Sequence, residues 1–434
     1  MIDKILTNLG IVALNDMQIA SLKACEKEGD LVLLSPTGSG KTLGFLLPVL
    51  QRLNETKELL QVLILVPSRE LAIQIEQVFR AMGTGFKVNC CYGGHSTRTE
   101  RNNLDQSPTV LIGTPGRIAY HLKHRHIDPS TIHTLVLDEF DKALEFGFQS
   151  EMSAIIKELT HLKKRMLTSA TELKEIPAFV GMKSIVKLDY LTHTKLPGLE
   201  IKVVKSMGKD KLEALFSLVC KLGNKPSLVF CNHRDAVDRI SELLSAKGIA
   251  HGVFHGGMEQ DDRERALIKF RNGSHHLLIT TDLASRGLDI PSIQNVIHYQ
   301  LAVSENIFLH RNGRTARMHA EGTSYLVLAE QERVPEYISG TPLVEEMPVK
   351  NSLPGKAEWL TLYLSAGRKE KINKVDIVGL LLQKGQLKKD ELGLIEVLDH
   401  CSFVAVKSDK IDDVIRLIRN EKIKKKSVKM EISR

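Results

Sequence analysis

The stretch Thr134-Leu-Val-Leu-Asp138-Glu139-Phe140-Asp141 delivers three carboxylates within four residues at the end of an apolar run. Like charges this close resist joint ionisation unless a positive group arrives. A divalent metal carried on a nucleotide would be such a group. Taken alone, three acids at a strand end are more often a solvated turn. A second stretch changes the balance. Ser35-Pro36-Thr37-Gly38-Ser39-Gly40-Lys41-Thr42 follows another apolar run and precedes a helical pattern. Gly38 and Gly40 let backbone N–H groups wrap phosphate oxygens, and the helix N-terminus adds positive potential. Lys41 would reach the β and γ phosphates, and Thr42 would offer a hydroxyl to Mg²⁺. Thr37, Gly38, Ser39, Gly40, Lys41 and Thr42 are therefore the candidate nucleotide-binding residues. With a phosphate loop present, Asp138 becomes the carboxylate that holds Mg²⁺ through its water shell and Glu139 the base that positions the attacking water.

The elements that position these residues can be read from periodicity. Leu31–Leu34, Val62–Val66, Val110–Ile112, Leu135–Leu137 and Arg165–Thr168 read as buried strands, and Gln74–Ala81 and Glu151–Leu162 as helices. The alternation implies a parallel sheet covered on both faces. Turn formers near 191–198 read as a linker. A second series follows, with strands at Leu228–Cys231, Ile249–Val253, Leu277–Thr280, Asn295–Ile297 and Thr323–Leu328 and helices at Ala236–Ala246 and Arg263–Phe270. After a Pro- and Gly-containing segment comes a third module: strand Trp359–Leu364, helix Val375–Lys384, strands Leu394–Leu398 and Phe403–Val406, helix Ile411–Arg419 and strand Val428–Ile432. That β-α-β-β-α-β order is ferredoxin-like, the framework of RNA-recognition modules. The fold class is thus two tandem α/β domains with parallel sheets and a small α+β domain, divided as 1–192, 199–342, a linker at 343–356, and 357–434.

Composition narrows the function classes. The chain has 434 residues, 42% hydrophobic and 26% charged, and no run approaches the roughly 20 apolar residues of a membrane span. A cytoplasmic protein with no membrane partner is expected. Six cysteines without C-x-x-C spacing argue against a zinc site or a disulfide framework. The net charge is +8, and residues 356–434 hold 18 Lys and Arg against 12 Asp and Glu. Most of the excess therefore sits in the last module, which points to a polyanion such as RNA.

Read together, these motifs resemble the DEAD-box RNA helicases of superfamily 2. The family's D-E-A-D appears as Asp138-Glu139-Phe140-Asp141, with Phe140 in place of Ala and expected to pack inward. Other matching stretches are Pro67-Ser68-Arg69-Glu70-Leu71, Gly93-Gly94, Thr114-Pro115-Gly116-Arg117 and Ser169-Ala170-Thr171. In the second domain they are His255-Gly256 with Gln260 and Arg263, Thr281-Asp282 through Ser285-Arg286-Gly287-Leu288-Asp289, and His310-Arg311-Asn312-Gly313-Arg314-Thr315-Ala316-Arg317, with Ala316 where Gly is common. The resemblance implies two RecA-like domains that hydrolyse ATP with Mg²⁺. It also implies ribose contact by Asp289, backbone approach to phosphate at Gly287, and coupling of Asp141 to Ser169 and Thr171. Gln18 matches the glutamine that reads an adenine edge, although Leu14 stands where proline is usual. Arg314 and Arg317, three apart on an expected helix, share a face and would serve as arginine fingers. Arg69, Gly94, Thr114, Arg117, Arg263 and Thr281 would line the RNA backbone track.

In the last module, alternation places Leu360, Leu362 and Leu364 on the core face and Tyr363 on the other, with Phe403 beside it. Two outward aromatics would either stack RNA bases or cover apolar surface against the helicase core. Arg368 and Lys369, with Lys424, Lys425 and Lys426, are the candidate phosphate contacts. This module resembles the C-terminal domain of DbpA-type helicases, which implies a structured ribosomal RNA element as target and pre-ribosomal particles as partners. The expected output is ATP-dependent unwinding or remodelling of RNA by a monomer. The alternative is an ATP-gated clamp with little unwinding.

Overall fold

The computed structural model describes the chain except residues 55–58, 95–96, 174, 192–197, 286–292, 316–321, 425 and 434 and the side chains of 284 and 285. Gly287, Asp289, Ala316, Arg317 and Lys425 therefore lie outside the described residues. The described chain divides into two units, one holding the first sheet and one holding the second and the C-terminal sheets.

The apolar runs of the first unit become β1 (Leu31–Leu34), β2 (Val62–Leu65), β3 (Val88–Cys91), β4 (Val110–Gly113), β5 (Thr134–Leu137), β6 (Lys164–Ser169) and β7 (Val186–Asp189). They pair in parallel in the order β3-β4-β2-β5-β6-β1-β7. Side chains alternate between two cores: Leu31, Val62, Ile64, Ile112 and Val136 pack on one face, Val32, Leu34, Leu63, Leu111 and Leu135 on the other. Helices thus cover both faces, as an all-parallel sheet requires. The helix expected from Gln74 begins at Arg69, because Ser68 caps it by accepting the Leu71 N–H at 3.3 Å. The helix expected to reach Leu162 stops at Glu158, where Leu159 leaves helical geometry at ψ 71°.

The second sheet comprises β8 (Leu199–Lys205), β9 (Ser227–Cys231), β10 (Gly252–Phe254), β11 (Leu277–Thr281), β12 (Asn295–His298), β13 (Gly322–Leu328) and β14 (Leu343–Val344). Its strands are parallel in the order β10-β11-β9-β12-β13-β8-β14. β10 starts three residues later than periodicity suggests. The Ile249 N–H closes the preceding helix on the Leu244 carbonyl, with Gly248 at φ +74°. β14 lies in the segment read as linker and pairs with β8.

The C-terminal sheet is antiparallel: β15 (Trp359–Leu364), β16 (Leu392–Val397), β17 (Ser402–Lys407) and, after a hairpin of β18 (Lys422–Ile423) and β19 (Lys426–Ser427), β20 (Met430–Ile432). The order β16-β17-β15-β20 and two helices, Lys374–Gln383 and Ile411–Ile418, make the ferredoxin-like fold. Leu362, Leu364, Val404 and Val406 face these helices.

Candidate active site and nucleic-acid interface

Parallel packing carries the phosphate loop and the carboxylates of the first unit to the carboxyl ends of strands, where open α/β sheets bind ligands. The phosphate loop follows β1, the carboxylates follow β5, and Ser169 closes β6, with Leu34 directly beside Ser169 in the ladder. Gly38 and Gly40 adopt φ +83° and +86°, the left-handed region that glycine enters without strain. A Cβ on Gly40 would meet Gln18 Nε2 at 2.6 Å, so this glycine is also fixed by close approach. Ser35 donates to Ser39 Oγ at 2.7 Å, and Lys41 Nζ donates to the Ser35 and Pro36 carbonyls at 2.6 and 2.8 Å. The ammonium therefore lies over the loop that phosphates would enter. Thr42 stands in the first turn of the helix Lys41–Gln51.

Gln18 sits in a capping box. Its Oε1 accepts the Asn15 N–H at 3.0 Å and its Nε2 donates to the Gly40 carbonyl at 3.2 Å. Asn15 Nδ2 donates to the Ser39 carbonyl at 2.9 Å. The helix Asp16–Glu26 is thereby tied to the phosphate loop. A carboxamide has two N–H donors and two lone pairs, and these two bonds use one of each.

Thr168 organises the carboxylates. Its hydroxyl donates to Asp138 Oδ1 and accepts the Glu139 N–H at 3.2 Å. Asp138 and Glu139 are both buried. Burial pushes the Asp138 carboxyl up, against the pull of the Thr168 hydrogen bond and the Lys41 charge. Such a group gains from a nearby cation, and a hydroxyl with a carboxylate is an oxygen donor set suited to Mg²⁺. Glu139 has φ +46°, unusual for a residue with a side chain, and precedes the helix Phe140–Glu145. Glu139 is the N-cap residue of that helix, and its side chain makes no capping hydrogen bond. Phe140 is fully buried and packs with Phe179 at 6.5 Å between ring centroids, so the departure from alanine fills the second core. Asp141 Oδ2 accepts the Thr171 hydroxyl at 2.9 Å, while Ser169 Oγ donates to the Thr171 carbonyl at 2.6 Å.

Of the expected RNA-track residues, Arg69 and Gly94 are brought together: a Cβ on Gly94 (φ +99°) would meet Arg69 Nη1 at 2.4 Å. Thr114 precedes the helix Pro115–Lys123, and Arg117 on that helix pairs with Glu100 at 3.4 Å. In the second unit Arg263 Nη2 donates to Gln260 Oε1 at 2.5 Å on the helix Gln260–Arg271, and Thr281 ends β11. Arg314 is not on a helix. The helix Glu305–Asn312 ends before it, and Arg314 occupies the following turn, where its N–H bonds the Arg311 carbonyl at 3.3 Å. Arg314 therefore lies beyond the helix on which it was expected, because Gly313 already terminates that helix, while Arg317 lies outside the described residues.

Arg311, which has no separate role in the motif reading, is the hub of that motif. It is fully buried and bonds Asp282 Oδ1 through Nε at 2.6 Å, Asp282 Oδ2 and Asn232 Oδ1 through Nη2 at 3.1 and 2.7 Å, and the Gln300 carbonyl through Nη1 at 2.7 Å. One guanidinium thus pins the motif helix to the ends of β9, β11 and β12. The signal available in sequence was an R-x-x-R pair preceded by a third arginine, which spacing alone cannot rank.

The C-terminal sheet corrects one expectation. Tyr363 and Phe403 are direct cross-strand partners with centroids 5.5 Å apart. Phe403 is only 2% exposed, which removes it as a base-stacking platform. The same face is docked on the second α/β domain. Thr361 Oγ1 bonds Asn272 Nδ2 at 3.2 Å and Ser274 Oγ at 2.6 Å, and Arg271 pairs with Glu396 at 2.9 Å. The basic residues gather elsewhere. Lys424 Nζ reaches the Lys371 carbonyl and Asp376 at 2.8 and 2.7 Å, and Lys426 Nζ the Glu370 carbonyl at 3.0 Å. This joins the hairpin to the turn Arg368–Glu370 in one exposed surface carrying Arg368, Lys369, Lys371, Lys424 and Lys426.

Comparison with known proteins agrees with this arrangement. Residues 15–177 match the DEAD/DEAH box helicase model, 210–319 the helicase conserved C-terminal domain, and 361–432 the DbpA RNA binding domain. The ATP-dependent RNA helicase DbpA of Bacillus subtilis is 30% identical over 98% of this chain and 96% of its own length; that of Escherichia coli is also 30% identical, with the same coverage. The chain belongs to the DEAD-box ATP-dependent RNA helicases of the DbpA type. In fold, this helicase is similar to yeast Dbp5 bound to RNA and ADP BeF3, with a TM-score of 0.66 and 23% identity over 76% of this chain and 87% of that one. The helicase is accordingly an ATP-hydrolysing, RNA-binding enzyme with two RecA-like domains. No helix among its described residues is long and apolar enough to cross a membrane.

Proposed function

We propose that this helicase uses ATP turnover to open or remodel duplexes in a structured ribosomal RNA element during assembly of the large ribosomal subunit, as a cytoplasmic monomer acting on pre-ribosomal particles. The observation that carries the reading is the joined basic surface of the C-terminal domain, which lies in the segment matching the DbpA RNA binding domain. With the sheet face docked, Arg368, Lys369, Lys424, Lys425 and Lys426 supply the phosphate contacts. Backbone contacts of this kind position an RNA without reading its bases. Functional division falls at 1–192, 199–342, 343–356 and 357–434.

In the ATPase site, Thr42 and Asp138 would hold Mg²⁺, which when bound neutralises phosphate charge. Thr37, Gly38, Ser39 and Gly40 present backbone N–H groups to phosphate oxygens, and Lys41 leaves its carbonyl partners for the β and γ phosphates. Gln18 reads the base and Asp289 the ribose, with Gly287 near the phosphates. Glu139 orients the attacking water and accepts its proton. Arg314 and Arg317 stabilise charge developing on the γ-phosphate. Asp141, Ser169 and Thr171 relay the nucleotide state to Arg69, Gly94, Thr114, Arg117, Arg263 and Thr281 on the RNA track.

Crosslinking followed by sequencing of bound fragments tests the target. Ribosomal RNA should be enriched with the natural chain and lost when Arg368, Lys369, Lys424 and Lys426 are changed to Ala. Crosslinks without ribosomal enrichment would remove the ribosomal assignment.

A further inference from the structure

Three ligating side chains of different kinds converge in the first unit, away from the phosphate loop. Cys91 ends β3, Glu100 lies on the helix Thr97–Leu104 and His121 on the helix Pro115–Lys123. All three are buried, and a sulfur, a carboxylate oxygen and an imidazole nitrogen lie within 4.8 Å of one another. We propose that Cys91, Glu100 and His121 form a zinc-binding site with a water as fourth ligand.

The donor set selects the metal. Magnesium and calcium take oxygen ligands, whereas thiolate with imidazole favours zinc-like ions. Zinc sites with three protein ligands keep the fourth position for water, with bonds of about 2.3 Å to sulfur and about 2.0–2.2 Å to nitrogen and oxygen. The surrounding shell is already built. The Tyr92 N–H holds Glu100 Oε1 at 3.0 Å, leaving Oε2, which now faces His121 Nε2 at 2.8 Å and Arg117 Nη1 at 3.4 Å. His121 Nδ1 faces His126 Nδ1 at 3.0 Å. Metal-ligating histidines ordinarily have their second nitrogen fixed in this way.

Binding balances simply. Cys91 loses its thiol proton to solvent. Neutral His121 places Nε2 on the ion and keeps its single proton on Nδ1, donating to His126. Arg117 moves off Glu100 Oε2 as the ion takes that oxygen. The exposed ring of His124 stacks on His126 with centroids 5.8 Å apart.

The test uses the full chain, stripped with a chelator and dialysed against zinc alone in competition with a chromophoric indicator. A single zinc per chain should be retained, and Cys91→Ser and His121→Gln should each weaken it by more than about tenfold, while Cys401→Ser leaves it unchanged. Cobalt(II) added to the natural chain provides a reading that needs no variant: a sulfur-to-cobalt charge-transfer band with strong tetrahedral d–d absorption supports the site. Zinc retention unchanged in His121→Gln, or a weak octahedral cobalt spectrum without the sulfur band, would overturn it.

Discussion

Thr171 donates its hydroxyl to Asp141 across 2.9 Å, tying the helix after β5 to the loop after β6. Neither residue belongs to the phosphate loop, and in the proposed relay the bond serves communication rather than hydrolysis. Thr171→Val keeps the shape and removes the donor. Strand displacement should fall by about tenfold or more, the equivalent of a hydrogen bond to a charged group, with ATP turnover held within a few-fold. Equal loss of both activities would place Thr171 in the hydrolytic step.

Asp138 is buried, and burial pushes its carboxyl up by opposing the charged form. Asp138→Asn removes that penalty along with the proposed metal ligand. Turnover should drop by about 10²-fold or more, while the thermal midpoint holds or rises. A lowered midpoint would show that the carboxylate stabilises the metal-free fold.

Arg311 is a buried cation held by Asp282, Asn232 and Gln300. Removing one partner of such a pair leaves an uncompensated charge, at a cost of about 3–5 kcal/mol. Arg311→Ala should lower the denaturation midpoint of the second unit accordingly. A change below about 1 kcal/mol, the scale of exposed pairs, would contradict its role as the hub.

His298 is fully buried, and burial first and the Arg311 charge second hold it down at about 3. The unfolded chain takes up this proton near the usual histidine value and the folded chain does not. Stability is therefore complete above about pH 6.5 and is lost as pH falls toward 3, by about 1.4 kcal/mol per pH unit for this residue. Denaturation of His298→Gln across that window should show a correspondingly shallower slope. An unchanged slope would mean that His298 is protonated in the fold.

The exposed lysines and the buried aromatic should separate in salt titrations. Each of Lys424→Ala and Lys426→Ala should reduce the slope of log affinity against log salt by about 0.7 on single-stranded RNA. Phe403→Ala should leave the slope alone and destabilise the domain by about 3–5 kcal/mol. The reverse pattern would return RNA to the sheet face.

Much of this was legible because the chemistry lies next to strongly patterned strands. β1, β2, β4, β5 and β6 fall within two residues of their apolar runs, and the phosphate loop and carboxylates follow two of them directly. Short-range bonds defeated the pattern elsewhere, as at Ile249, whose N–H closes a helix instead of opening a strand. Arg311 was hidden because its partners come from three strands far apart in the chain. Alternation correctly set Phe403 on the face away from the helices, yet alternation carries no information on what covers that face. The bonds of Asn272 and Ser274 to Thr361 supply it.

Glu139, placed by the Thr168 bridge beside Asp138, is the residue proposed to orient the water that hydrolyses ATP. The decisive measurement is ATP turnover with and without RNA, compared between the natural chain and Glu139→Gln. RNA should stimulate the natural chain, and the variant should lose about 10²-fold or more of that turnover while still binding ATP. Turnover in Glu139→Gln equal to that of the natural chain would contradict the assignment.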